Sequence, residues 1–243
     1  SDTALGQPVG STSGSTVVNA GAELQVGASI TIGDELLTLN GAGFTGNQTG
    51  SGANVGALHV LPGNQVSWGG GATPFTLGNG TANTIGTDTG ARLILNGQFA
   101  LTGNPLNKVG AGTLEMQGSI GNANTGTTTI NDGTFRLNKL PGVGGSAAST
   151  IIVGDNAGTA NSDILELVSP EQLSSAAVLT VNSTGRLSKL TSAPDSTQNE
   201  VQNLVITGTS GQFQVSFAGS STAALPFNVP PTGGVFQASN EIQ

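Results

Sequence analysis

The chain has no cysteine and no tyrosine, and only one methionine, one tryptophan and one histidine in 243 residues. Without cysteine there are no disulfides and no thiolate metal sites. A single histidine speaks against a zinc centre, which draws on several such ligands. A Ser-His-Asp triad would have to use His59, and no G-x-S-x-G elbow is present. Charged side chains make up 8 % of the chain, against roughly 25 % in ordinary soluble domains. Most helical folds need those residues on their exposed faces and are thereby excluded. Six basic against fourteen acidic residues leave a net charge of −8, which argues against nucleic acid as a partner. No run of 18 apolar residues occurs, so no membrane insertion is expected.

What the chain has instead is Gly, Ser, Thr and Asn, which together supply nearly half of it. Between them lie short alternating runs: 24–26, 29–32, 36–39, 57–61, 92–95, 113–117, 128–131, 134–138, 178–181, 203–207 and 212–217. Each is apolar at every second position and is bounded by Gly, Asn, Asp or Pro, the signature of strands and turns. One helix is predicted: Ser169 caps, Pro170 opens and Gln172 closes a capping box, with about two turns running through Ala177. The opening SDTALGQPVG lacks an initiator Met and a basic-plus-apolar signal region, and reads as a processed end or an artificial boundary.

A Gly-x-apolar-x-apolar unit repeats. Gly112-Thr113-Leu114-Glu115-Met116 returns as Gly133-Thr134-Phe135-Arg136-Leu137. Gly211-Gln212-Phe213-Gln214-Val215 has the same form, and Gly185-Arg186-Leu187 a shorter one. Glycine supplies the corner, and the alternation then points two apolar side chains inward. The step from 112 to 133 is a plausible length for one coil of a solenoid, in which each repeat stacks on its neighbours. The expected fold is all-β, a right-handed parallel β-helix, over residues 1–198. Segment 199–243 is expected to be a C-terminal β segment, the start of a further repeat or an assembly element of β-sandwich-like or strand-exchanging form. The predicted interior is Leu24, Val26, Leu93, Leu95, Leu114, Met116, Ile130, Phe135 and Leu137. Glu115 and Arg136 are predicted to be outward neighbours on adjacent coils.

Segment 108–139, KVGAGTLEMQGSIGNANTGTTTINDGTFRLNK, resembles the passenger-associated strand repeat of bacterial autotransporters and related giant surface proteins. The residues that match are Lys108, Gly110, Gly112, Thr113, Leu114, Gly118, Gly126, Thr127, Ile130, Asn131, Gly133, Thr134 and Leu137. Asn124 stands in place of the loop Tyr, while Met116 and Phe135 replace Leu. Segment 16–26 is a variant with one extra residue. The closest match is confined to 108–139, a small part of the chain. It implies a secreted β-solenoid passenger on the bacterial cell surface and no enzyme.

Candidate chemistry is sparse. Gly41-Ala42-Gly43-Phe44-Thr45-Gly46 matches the dinucleotide fingerprint formally, but no helical pattern follows to hold a pyrophosphate. His59, on the face opposite Leu58, is expected to be structural or solvent-facing. A glycan-cleaving β-helix would need clustered carboxylates, whereas Glu23, Asp34, Glu35, Asp88, Glu115, Asp132, Asp155, Asp163 and Glu166 are scattered. Asp155, Asn156 and Asp163 in the loop 154–163 offer the oxygens calcium prefers, without calcium-loop spacing. A polar turn is expected there. Thr127-Thr128-Thr129 is too short for an ice-binding array. Asn47, Asn79 and Asn182 fit glycosylation sequons. No catalytic, cofactor-binding or metal residue is assigned, and no cofactor is expected, calcium being the one ion considered.

The composition suits a neutral, hydrated, protease-resistant wall. The expected function is a non-enzymatic extracellular structural protein, an adhesin stalk or self-assembling fibre subunit. The alternatives are a module that binds a surface glycan and a glycan-cleaving enzyme. Asn199-Glu200-Val201-Gln202 opens a segment whose opening recurs as Asn240-Glu241-Ile242-Gln243. That recurrence points to end-to-end self-association through residues 1–20 and 199–243, or to continuation in a longer chain.

Overall fold

The computed structural model describes residues 15–33, 35–44, 55–69, 74–77, 82–99, 103–123, 125–146, 148, 150–189, 203–206, 212–213, 215–217, 220–221 and 225–226. Among these, every regular element is a strand and none is a helix. The chain runs through β1 (Ser15–Val18), β2 (Leu24–Val26) and β3 (Ile30–Ile32). It repeats that circuit as β4 (Leu36–Leu39), β5 (Leu58–Val60) and β6 (Gln65–Trp68), then as β7 (Pro74–Leu77), β8 (Asn83–Thr87) and β9 (Arg92–Asn96). The fourth circuit is β10 (Gln98–Phe99), β11 (Leu106–Val109) and β12 (Thr113–Gly118). Circuits of two strands follow: β13 (Thr128–Ile130) with β14 (Gly133–Lys139), β15 (Thr150–Val153) with β16 (Asp163–Leu167), and β17 (Val178–Val181) with β18 (Gly185–Lys189). The last strands are β19 (Asn203–Ile206), β20 (Gln212–Phe213), β21 (Val215–Phe217), β22 (Ser220–Ser221) and β23 (Leu225–Pro226).

Corresponding strands of successive circuits pair in parallel, and three sheets result. The first is β1-β4-β7-β10, the second runs from β2 to β19, and the third from β3 through β21 to β22. Antiparallel pairs among the described residues are β21 with β22 and β20 with β23. The expected boundary at 198/199 lies outside the described residues. Beyond it, β19 and β21 still add in parallel to the second and third sheets.

The alternation in each strand becomes a stack of like residues across the sheet. In the third sheet Val66, Leu93, Leu114, Phe135, Leu165 and Leu187 lie opposite one another in turn, and all are buried. A neighbouring stack holds Trp68, Leu95, Met116 and Leu137. Burying each such side chain is worth about 1.5–3 kcal/mol. The predicted interior residues are buried except Leu24, which is half-buried against the core. Leu93, Leu114 and Phe135 pair at one constant sequence interval. The step from Phe135 to Leu165 is longer, because the loop 154–162 intervenes.

The corner between the second and third sheets explains the repeating glycine. Gly133 has φ +69°, and a Cβ there would run into the carbonyl oxygens of Gly110 and Gly112 in the previous circuit. Neighbouring circuits place Gly112 and Gly185 at this register, whereas β16 carries Asp163.

Among the described residues the first sheet ends at β10, and side-chain amides take up backbone groups there and at the end of β14. Asn122 accepts from Phe99 N at 2.8 Å and donates to Gly145 O at 2.6 Å. Gln172 accepts from Lys139 N at 2.8 Å and donates to Pro170 O at 2.9 Å. This is why the predicted helix over 169–177 does not form. Glu171 is left-handed at φ +57°, Leu173 bridges in parallel to Ser146, and Gln172 is buried with its amide oxygen taken by Lys139 N of the preceding circuit.

Candidate functional site

His59 projects from β5 on the face opposite the core and is nevertheless 2 % exposed. Its Nδ1 lies 2.7 Å from Glu23 Oε1, one circuit back. Its Nε2 lies 3.0 Å from Asp88 Oδ2, one circuit on, without hydrogen-bond alignment. Gly86 stands opposite His59 in β8; a Cβ there would run into the Val55 carbonyl and would only touch the His59 ring at ordinary contact distance. The imidazole therefore lies between two carboxylates, one from the circuit on either side of its own.

Lys108 occupies the inward stack of the second sheet, opposite Ile85 and Ile130. Its stem runs through the core to the corner. There Nζ donates to the carbonyls of Val109, Gly110 and Asp132 at 2.8, 2.5 and 3.0 Å. Those three acceptors match the three donors of an ammonium. Burial lowers the amine to about 7, against the opposing pull of the Asp132, Asp163 and Asp88 charges. Asp163 is buried at the same corner and accepts from Thr184 Oγ1 at 2.5 Å and Ser162 Oγ at 2.8 Å. Burial pushes its carboxyl up, with the Asp155 and Asp132 charges adding to the rise and the two hydroxyls opposing it.

On the outer face of the third sheet a charge ladder crosses four circuits. Arg92 donates to Glu115 Oε2 through Nε at 3.0 Å and Nη2 at 2.5 Å. Arg136 Nη1 lies 3.6 Å from the same oxygen, and its Nε donates to Glu166. Gln117 and Asn138 donate to Glu115 Oε1 at 2.5 and 2.7 Å. Burial pushes the Glu115 carboxyl up, but the hydrogen bonds from Asn138, Gln117 and Arg92 outweigh it and hold the group below the usual range. The sequence places Glu115 and Arg136 side by side and outward. The structure agrees on the register and adds that Glu115 is fully enclosed by its partners.

The remaining sequence candidates fall elsewhere. Asp155 and Asn156 serve turns: Asp155 Oδ1 accepts from Ala157 N at 2.7 Å, and Asn156 Oδ1 from Ser183 Oγ at 2.9 Å. Among the described residues no group of three or more His, Cys, Asp or Glu is arranged to hold a metal. Gly43 bridges Gly56 and has no room for a side chain, a close-packed turn within the formal fingerprint. Thr128 points inward and is buried. Asn182 donates its amide to Gly154 O at 2.5 Å. Asp34, Asn47, Asn79 and the recurring openings at 199–202 and 240–243 lie outside the described residues.

Sequence reasoning missed Lys139, which is buried and donates Nζ to Gly97 O, its amine lowered to about 8 by burial. It also missed Trp68, whose Nε1 donates to Glu35 O at 2.9 Å. Lys139 closes the matched segment 108–139 as Lys108 opens it, and that symmetry was the available signal. In comparisons with protein-family models, curated proteins and solved structures, nothing matches this chain.

Proposed function

We propose that this chain is a non-enzymatic structural protein of the bacterial cell surface, built as a right-handed parallel β-helix that serves as an adhesin stalk or fibre subunit. The observation that carries the reading is the use made of its few charged groups. His59, Lys108, Glu115, Arg136, Lys139 and Asp163 all bond across circuits, which stiffens a stack. A stack of circuits grows by repetition, each burying its faces against its neighbours. The resemblance of 108–139 to autotransporter passenger repeats supports the same reading. So does the placement of basic residues: Lys108 and Lys139 are buried and Arg92 and Arg136 are engaged, which suits a chain exposed to proteases. End-to-end self-association of such a stack is part of the same proposal.

Sedimentation of the purified chain across a wide concentration range, with negative-stain imaging, tests the reading. Concentration-dependent association into unbranched fibres is expected. A second reading, a glycan-binding module, is favoured by a shallow trough on the outer face of the third sheet, lined by Thr31, Gln65, Ser67 and Ile94. Retention on a glycan array by a strictly monomeric chain would select it. Release of reducing ends from a polysaccharide would overturn the non-enzymatic assignment.

A further inference from the structure

His59 is the chain's one imidazole, and both of its nitrogens face carboxylates on other circuits. A neutral imidazole carries one N–H and one lone pair, whereas the imidazolium carries two N–H groups. A neutral ring can therefore serve Glu23 or Asp88 but not both, and its lone pair then confronts the other carboxylate. We propose that His59 is a proton-operated clasp that binds the first three circuits together when charged and releases one carboxylate when neutral.

The geometry limits what else acts on the ring. Glu23 approaches from the segment before β2 and Asp88 from the corner after β8, at 2.7 and 3.0 Å. The Asp88 charge also acts on Lys108, one circuit further along. The clasp lies at the end of the second sheet, where among the described residues β2 is the terminal strand and pairs with β5 alone. A strand with a neighbour on one side has the least backbone pairing to lose, so discharge of His59 loosens β2 first. Residues in β14 and β16, held by the Glu115 ladder, lie outside its reach.

Because the chain has one histidine, its ring ¹⁵N signals need no assignment. The full chain is labelled, and the protonation of the ring is followed across a pH series. Amide exchange in β2, β5, β8, β14 and β16 is measured over the same range. As the ring loses its proton, protection in β2 and β5, taken relative to the intrinsic exchange rate at each pH, is expected to fall about tenfold or more, the equivalent of one charge-assisted hydrogen bond, while protection in β14 and β16 stays unchanged. In His59→Gln, which has one NH₂ donor group at every pH, that step is expected to vanish. A ring that stays neutral throughout, or a titration that leaves β2 and β5 protection unmoved, overturns the proposal. The wild-type titration decides the matter alone should the variant not fold.

Discussion

Glu115 and Arg136 stand opposite each other on β12 and β14, with Arg136 Nη1 3.6 Å from Glu115 Oε2. Arg92 grips the same carboxylate from the preceding circuit. An exposed pair would be worth about 0–1 kcal/mol. Glu115 is instead fully enclosed, and four side chains converge on it. Glu115→Gln is expected to cost about 1–3 kcal/mol, measured by chemical denaturation at neutral pH. Since the folded group titrates below its ordinary value, its contribution is present above the unfolded pKa and fades as pH falls through the folded one. The Gln variant should therefore lose less stability than the parent on acidification.

Lys108 has the opposite sign. Its amine titrates near 7 when folded, against 10.5 when unfolded, so the unfolded chain holds the extra proton between those values. Stability from this group rises with pH across that window and falls as pH drops toward 7. Denaturation of Lys108→Met between those pH values should show a flatter profile than the parent. An unchanged slope would mean that the carbonyls of Val109, Gly110 and Asp132 keep the ammonium charged.

Gly133→Ala and Gly144→Ala should part sharply. At Gly133 the backbone is left-handed and two carbonyl oxygens occupy the Cβ position, whereas Gly144 has open space and no positive φ. Strain of about 1–3 kcal/mol from the backbone alone, plus displacement of the previous circuit, is expected for the first. For the second the effect should be near zero, both read as shifts in thermal unfolding.

Leu114 and Phe135 touch across adjacent circuits in the core. Leu114→Ala should cost about 2–5 kcal/mol and Phe135→Ala about 3–5 kcal/mol. The double variant should cost less than the sum, because the two share one cavity. Strict additivity by denaturant titration would show that they do not pack together.

Gln172→Ala tests the amide that supplants the predicted helix. It removes the acceptor of Lys139 N and leaves that buried donor unpaired, at a cost of about 1–3 kcal/mol. No gain or loss of helical circular dichroism should accompany it.

What the sequence determined by itself was the part governed by local period and local sterics. Alternation identified the inward faces of β9, β12 and β14. The repeated glycine located the corner, and its recurrence at 112 and 133 set the register of Glu115 against Arg136. Tertiary structure decided whatever depends on a neighbour one circuit away. His59 meets Glu23 from the circuit before and Asp88 from the circuit after, and no local pattern encodes that meeting. Lys108 holds an inward position because corner carbonyls from its own circuit and the next receive its ammonium. The segment 169–177 carries sound capping chemistry yet folds as turns, because a buried backbone donor at Lys139 needed a partner and the Gln172 amide supplied it. An unpaired buried donor costs more than a two-turn helix returns, so the long-range demand prevailed over the local preference.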